Sequence, residues 1–187
     1  MRKFAMFIVV VMIVLVSAFD LRAATLAGVT LPDAQQVGSA KLVLNGMGLR
    51  TKYFVKVYVA GLYVQQKSQD PKALIAADAP KRIIMQFVRS LSKSQLADGF
   101  SESFTNNSPA AMKTMKAAID QFLGALEPVK EGEQMMFTYD PGTGTTFALN
   151  GKEKLTLAGP AFAQVLFSVW LGPKPPTADL KKGLLGQ

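Results

Sequence analysis

From Phe54 to Val64 the chain is a nearly unbroken run of β-branched, aromatic and small apolar residues, interrupted only by Lys56. Val and Tyr at this density suit a pleated, half-buried surface. Whatever else the chain does, it must build a sheet around this segment. Side chains alternate between the faces of a strand, so Val55, Val57, Val59, Gly61 and Tyr63 are expected on one side and read as core. Phe54, Lys56, Tyr58, Ala60 and Leu62 fall on the other. Apolar area carrying a few polar tips is how a ligand pocket is lined, so the second face is the candidate binding face. Upstream, Lys41–Leu44 reads as a short strand, Asn45-Gly46 as a turn, and Arg50 with Lys52 as a charged corner.

The remaining segments alternate between the two periodicities. Residues 29–36 show no clear type. Asp70-Pro71 marks a helix start through residue 77, with Asp as N-cap and Pro in the first turn. Residues 81–89 read as a strand. Ser92 and Gln95 have capping-box spacing ahead of a helix carrying Leu96, Phe100, Ser103, Phe104 and Asn107. Ser108-Pro109 is read as the cap of a second helix over 110–126, whose Met112, Met115, Ile119, Phe122, Leu123 and Leu126 form a core stripe. Three short strands follow at 134–139, 145–149 and 154–157, the last two joined by Asn150-Gly151, a strong hairpin signal. Pro141–Thr145 is glycine-rich but feeds a strand, so it is a turn rather than a phosphate loop. Gly159-Pro160 opens an apolar helix through Phe162, Val165, Leu166, Val169, Trp170 and Leu171, and a tail helix spans 178–185. Mixed segments of this kind predict an α+β domain with a largely antiparallel sheet.

Two absences narrow the chemistry. The chain has no cysteine and no histidine. Ser-His-Asp and Cys-His nucleophilic catalysis, histidine acid–base chemistry and Cys/His zinc sites are therefore excluded. No metal or other cofactor is implied. The formal charge is +8, but the lysines are scattered and no aromatic stacking platform accompanies them, so no nucleic-acid partner is expected. The first residues, Met1-Arg2-Lys3 and then the uncharged run Phe4–Phe19, have the layout of a secretory signal peptide. Small residues allow cleavage after Ala18 or Ala23. The expected organisation is a signal peptide over 1–23 and one domain over 24–187, exported and most plausibly periplasmic. A cut after Ala23 removes three basic residues and one acidic residue, leaving +6. Membrane contact is expected only through the N-terminal segment, and only if it stays uncleaved.

Several stretches together resemble the chalcone isomerase-like superfamily. They are Gly46-Met-Gly-Leu-Arg50, Phe54–Tyr63, Ala79–Arg82, Gly99-Phe100 with Asn106-Asn107, Tyr139–Gly144, Asn150-Gly151, Trp170–Gly172 and Asp179–Gly186. Their order is similar to that of a bacterial, exported branch of the family. The resemblance implies an open-faced β-sandwich, a large antiparallel sheet with a layer of helices and a smaller strand layer. It also implies a ligand cleft between sheet and helices. In the family's isomerases an Arg steers a phenolate, helped by a strand Thr, a helix Tyr and Asn, and a late hydroxyl. The matching positions here are Arg50, Tyr58, Phe100, Asn107 and the neighbourhood of Val169. In its fatty-acid-binding members, an Arg and a strand Tyr hold the lipid carboxylate, and Arg50 with Tyr58 resembles that pair.

The expected ligand is thus a small amphipathic acid such as a fatty acid, bound without catalysis. Arg50, Tyr58, Phe100 and Asn107 are the candidate ligand-binding residues. Leu96, Phe100, Phe104, Phe162 and Leu166 are expected to line the tail's tunnel. An intramolecular lyase of the chalcone–flavanone type, using Arg50 and Asn107, is the alternative, and a ligand-free envelope scaffold is a third reading.

Overall fold

A computed structural model describes residues 23–187; the expected signal peptide lies almost wholly outside them. The sheet is a seven-stranded antiparallel meander in which every strand pairs with its neighbours in sequence. Its strands are β3 (Ala34–Val37), β4 (Ala40–Lys52), β5 (Val55–Val64), β6 (Lys81–Phe87), β7 (Gln134–Asp140), β8 (Gly144–Leu149) and β9 (Lys152–Leu157). Two further strands, β1 (Ala23–Leu26) and β2 (Val29–Pro32), form a separate hairpin. Residues 29–36, unreadable in the sequence, thus supply β2 and most of β3.

The helices are α1 (Pro71–Ala76), α2 (Lys93–Asn107), α3 (Ala111–Thr114), α4 (Lys116–Ala125), α5 (Pro160–Leu171) and α6 (Ala178–Leu184). Asp70 caps α1 through its side chain, and the Ser92–Gln95 capping box of α2 is complete, as expected. The helix expected over 110–126 is instead interrupted at Met115 (φ −122°, ψ 23°). Ser108 does not cap it either. Its hydroxyl lies 3.0 Å from that of Ser168 on α5, a contact between helices remote in sequence.

Two cores result, one on each side of the sheet. The larger holds Tyr58, Leu62, Phe87, Phe137 and Phe147 against Phe100, Phe104, Phe122, Phe162 and Trp170 of the helices. The smaller holds Val59, Tyr63, Ile84, Leu42 and Leu44 against Val29 and Leu31 of the hairpin. Tyr63 ties the two layers by donating to the Pro32 carbonyl at 2.8 Å. Chain composition and topology thus agree on an α+β, open-faced sandwich. The strand β5 is buried on both faces, so neither of its sides is a simple core side. A bulge opposite Arg50/Thr51 also changes its alternation, with Val57 as the extra residue. Below the bulge Val55 and Val57 share the face of Arg50; above it Tyr58, Ala60 and Leu62 do. The expectation that Val55 and Val57 lie with Val59 and Tyr63 is corrected accordingly.

Asn45-Gly46 is not a turn. β4 runs through it, with a second bulge between Leu44 and Gly46. Its glycines serve the tail instead. A Cβ on Gly46 would strike the Gly183 carbonyl oxygen, and one on Gly48 the Leu180 carbonyl oxygen, so α6 can press its backbone onto β4 only where both lack side chains. Asn45, buried, fastens that contact by donating to the Leu184 carbonyl at 2.8 Å and the Ser68 carbonyl at 3.0 Å. The real corner lies at Tyr53-Phe54, a two-residue loop with both residues at positive φ (48° and 65°).

Candidate functional site

Arg50 and Tyr58 are direct cross-strand partners on β4 and β5, at the edge of the bulge. The guanidinium carbon lies 5.6 Å from the centre of the Tyr58 ring. Tyr58 is itself buried, packed edge-on against Phe87 at 5.8 Å. From the helix layer, Trp170 of α5 donates its indole N–H to the Tyr58 hydroxyl at 3.1 Å. The phenol oxygen thus accepts from the indole, and its own hydrogen has no acceptor among the described residues. Burial pushes the Tyr58 phenol above its ordinary value, opposed by the nearby Arg50 charge and the indole hydrogen bond. It stays protonated and remains a donor at neutral pH.

Arg50 is the unusual member. It is half-buried, yet among the described residues no carboxylate comes within ion-pair distance, and its polar company is the neutral Tyr58 hydroxyl. By contrast Arg82, on the opposite face, donates to Thr138 and Gln35, each at 2.8 Å. Gly99 of α2 sits over Arg50, where a Cβ would stand 3.9 Å from Nη1, in ordinary van der Waals contact.

Three adjoining recesses meet at Arg50. The inner one, walled by Tyr58, Phe87, Phe100, Val169 and Trp170, has only about 30 Å³ of space, little more than one water's room. A second recess of about 300 Å³ opens outward between Arg50, Tyr53, Val57, Leu91 and Gln95. A third of similar volume runs toward Lys174 and Pro176 and is mostly polar. The outer spaces reach the lower end of small-molecule sites.

The site residues expected from the sequence divide here. Arg50, Tyr58 and Phe100 come together around the inner recess. Asn107 does not join them. Its amide nitrogen donates to the Ser103 carbonyl at 3.0 Å and the Lys174 carbonyl at 2.9 Å, and its oxygen accepts from the Lys174 N–H at 2.8 Å. A Cβ on Gly172 would collide with that oxygen. Asn107 clamps the loop after α5. The expected tunnel also differs: Leu96 and Phe100 line the recess, whereas Phe104, Phe162 and Leu166 are sealed into the aromatic core. Trp170, Gln95 and Ser103 were missed as wall residues. Ser103 follows from Phe100, and Gln95 from Gly99, at helical spacing, but nothing in the sequence says where the indole N–H points.

Among the described residues no group of acidic side chains could hold a metal ion, and no helix is long and apolar enough to cross a membrane. Sheet, helix layer and basic cleft define an α+β open-faced sandwich with a half-buried cation at the floor of a cleft. Residues 23–186 match the model of the family described as chalcone isomerase-like, and the chain belongs to that family. A search of curated proteins gives no match. Among solved structures, an Arabidopsis thaliana fatty-acid binding protein superposes with a TM-score of 0.70 at 15% identity, covering 88% of this chain and 96% of that one. At that identity the likeness is one of fold.

Proposed function

We propose that this protein binds a small amphipathic carboxylate, a fatty acid being the best fit, without transforming it. The observation that carries this reading is Arg50, a cation with no ion-pair partner among the described residues, at a cleft floor beside a phenol with a free hydrogen. A guanidinium forks onto a carboxylate through two parallel hydrogen bonds, and the Tyr58 hydroxyl supplies a third donor. The inner recess is too small for a hydrocarbon chain, so the tail runs outward along Val57 and Leu91 under the β4–β5 hairpin. The fold neighbour is a fatty-acid binding protein, which agrees with this reading.

The isomerase alternative finds less support. Phe100 and Val169 are apolar where that chemistry uses hydroxyls, and Asn107 is committed to the Lys174 loop. In the proposed reading the protein belongs to an exported, periplasmic branch, delivered by the leader over 1–23. Cleavage after Ala18 keeps all of β1, whereas cleavage after Ala23 removes its first residue. N-terminal sequencing of protein from the periplasmic fraction tests this; an uncleaved Met1 terminus would overturn it.

Native mass spectrometry of the protein purified from an export-competent host, beside Arg50→Ala, tests the ligand. An acid of lipid mass on the wild type, absent from the variant, is expected. A wild type that arrives empty and takes up no added fatty acid would overturn the proposal.

A further inference from the structure

Among the described residues the large apolar side chains most exposed to solvent are consecutive: Tyr53 at 85%, Phe54 at 104% and Val55 at 45%. They form the tip of the β4–β5 hairpin. The tip is costly in two ways. It leaves two aromatic rings in water, and it holds both residues in the left-handed region, where side chains with a Cβ are disfavoured. The same chain shows the cheaper solution. The β8–β9 hairpin makes its two-residue turn from Asn150 and Gly151, at φ 49° and 77°, with polar and glycine residues suited to that backbone. Turn geometry therefore does not account for Tyr53-Phe54.

The charge on the hairpin itself has one sign. Arg50, Lys52 and Lys56 lie on the hairpin, and no acidic residue occurs between Lys41 and Val64. Lys52 Nζ stands 5.9 Å from the Tyr53 ring. Arg89 stands nearby on the groove wall, and Asp98 and Glu102 face that groove from α2. The α2 side would be repelled by an anionic surface while the hairpin is drawn to it, which orients the molecule tip-first. Aromatic rings flanked by lysines are the composition of an interfacial anchor in a bilayer carrying anionic headgroups.

We propose that the Tyr53-Phe54 tip docks on an anionic lipid bilayer and seats the mouth of the Arg50 cleft at the membrane surface. Tyr53 and Val55 line the hairpin side of the outer recess, so a docked tip opens that side of the recess onto the bilayer surface. The docking surface stands on exposure, backbone and charge, independently of what the cleft holds. Its use as a loading port rests on the fatty-acid reading.

Because the chain has no cysteine, one can be placed at will. A fluorophore on Thr51→Cys reports the hairpin, and one on Thr143→Cys reports the β7–β8 turn at the other end of the sheet. Both are read on the protein as its host yields it, with vesicles of phosphatidylglycerol and phosphatidylcholine bearing brominated chains. A local probe separates the hairpin from any contact made by the N-terminal segment. Quenching at position 51 should exceed that at 143 by about threefold or more, fall in pure phosphatidylcholine, and disappear with Tyr53→Asn/Phe54→Gly. That double variant should melt at or above the wild-type temperature, since it relaxes the backbone. Equal quenching at both positions, or quenching that survives the double variant, overturns the proposal. So does concentration-dependent self-association that the double variant abolishes, which would assign the patch to a second copy. Equal quenching on neutral vesicles overturns the anionic preference. Fatty-acid uptake is read separately by mass, so an empty cleft with a quenched hairpin defeats only the loading port.

Discussion

Lys81 and Arg50 are both cations beside a tyrosine ring in the sheet, and they have opposite fates. Lys81 is buried at the start of β6, and its ammonium donates to the carbonyls of Leu74, Ile75 and Ala77 at 2.8, 3.1 and 2.8 Å. Tyr139 and Phe167 enclose it at 5.5 and 5.2 Å, and Tyr139 in turn donates to Asp78. All three hydrogens are used, and they close the C-terminal end of α1. Arg50 has aromatic company but no carboxylate or carbonyl acceptor among the described residues. A satisfied cation holds the fold; in the proposed reading the other takes its anion from a ligand.

The comparison breaks most sharply at Lys81. Lys81→Met should lower stability by about 2–4 kcal/mol by leaving three carbonyls without a donor, read as a lower urea midpoint at unchanged slope, with ligand affinity intact in the folded protein. Arg50→Gln should do the reverse. Fatty-acid affinity measured by calorimetry should fall about 10- to 100-fold, the worth of a charge-assisted pair, while stability moves by less than about 0.5 kcal/mol. A large stability loss in this variant would mean that Arg50 is structural after all. Tyr58→Phe sits between the two. It orphans the Trp170 N–H and should cost about 1–2 kcal/mol in thermal or urea unfolding, with a weaker loss of ligand affinity.

The last effect is in the pH dependence. Burial pulls Lys81 down to about 8 against 10.5 unfolded, with the Asp78 charge opposing. Between those values the unfolded chain binds more protons, so the Lys81 contribution to stability rises with pH. Below about 8 the cost of the buried charge is fully present. Denaturant midpoints of wild type minus Lys81→Met, taken from pH 8 to pH 10, should therefore increase. A flat difference would show that the three carbonyls hold the ammonium as well as water does.

What the sequence disclosed follows the range of the forces involved. The caps at Asp70 and Ser92, the Asn150-Gly151 hairpin and the apolar faces are local, and they are where local chemistry puts them. Arg50 and Tyr58 came from a resemblance, and their register as direct partners confirms only that they meet. Several of the errors involve partners far along the chain. Asn45-Gly46 carries the signal of a turn, but α6 needs the missing side chains there. Ser108 looks like a cap, but Ser168 claims its hydroxyl. Asn107 looks like a site residue, but the loop at Lys174 uses both ends of its amide. The Tyr53-Phe54 corner escaped notice because neither residue is one that turns of this geometry prefer.

The seam between α6 and β4 has a consequence in time. Asn45 and Leu184 are 139 residues apart, and their bond joins almost the last turn of the chain to the strand that carries Arg50. Until synthesis reaches the tail, the bare backbone strip at Gly46 and Gly48 has nothing to lie against it. In the proposed reading ligand capture then waits for residues 178–184, and a protein clipped after Thr177 should emerge folded in its meander yet unable to retain a fatty acid. Limited C-terminal proteolysis followed by native mass spectrometry would show it, and a clipped chain that still carries lipid would sever the cleft from the tail.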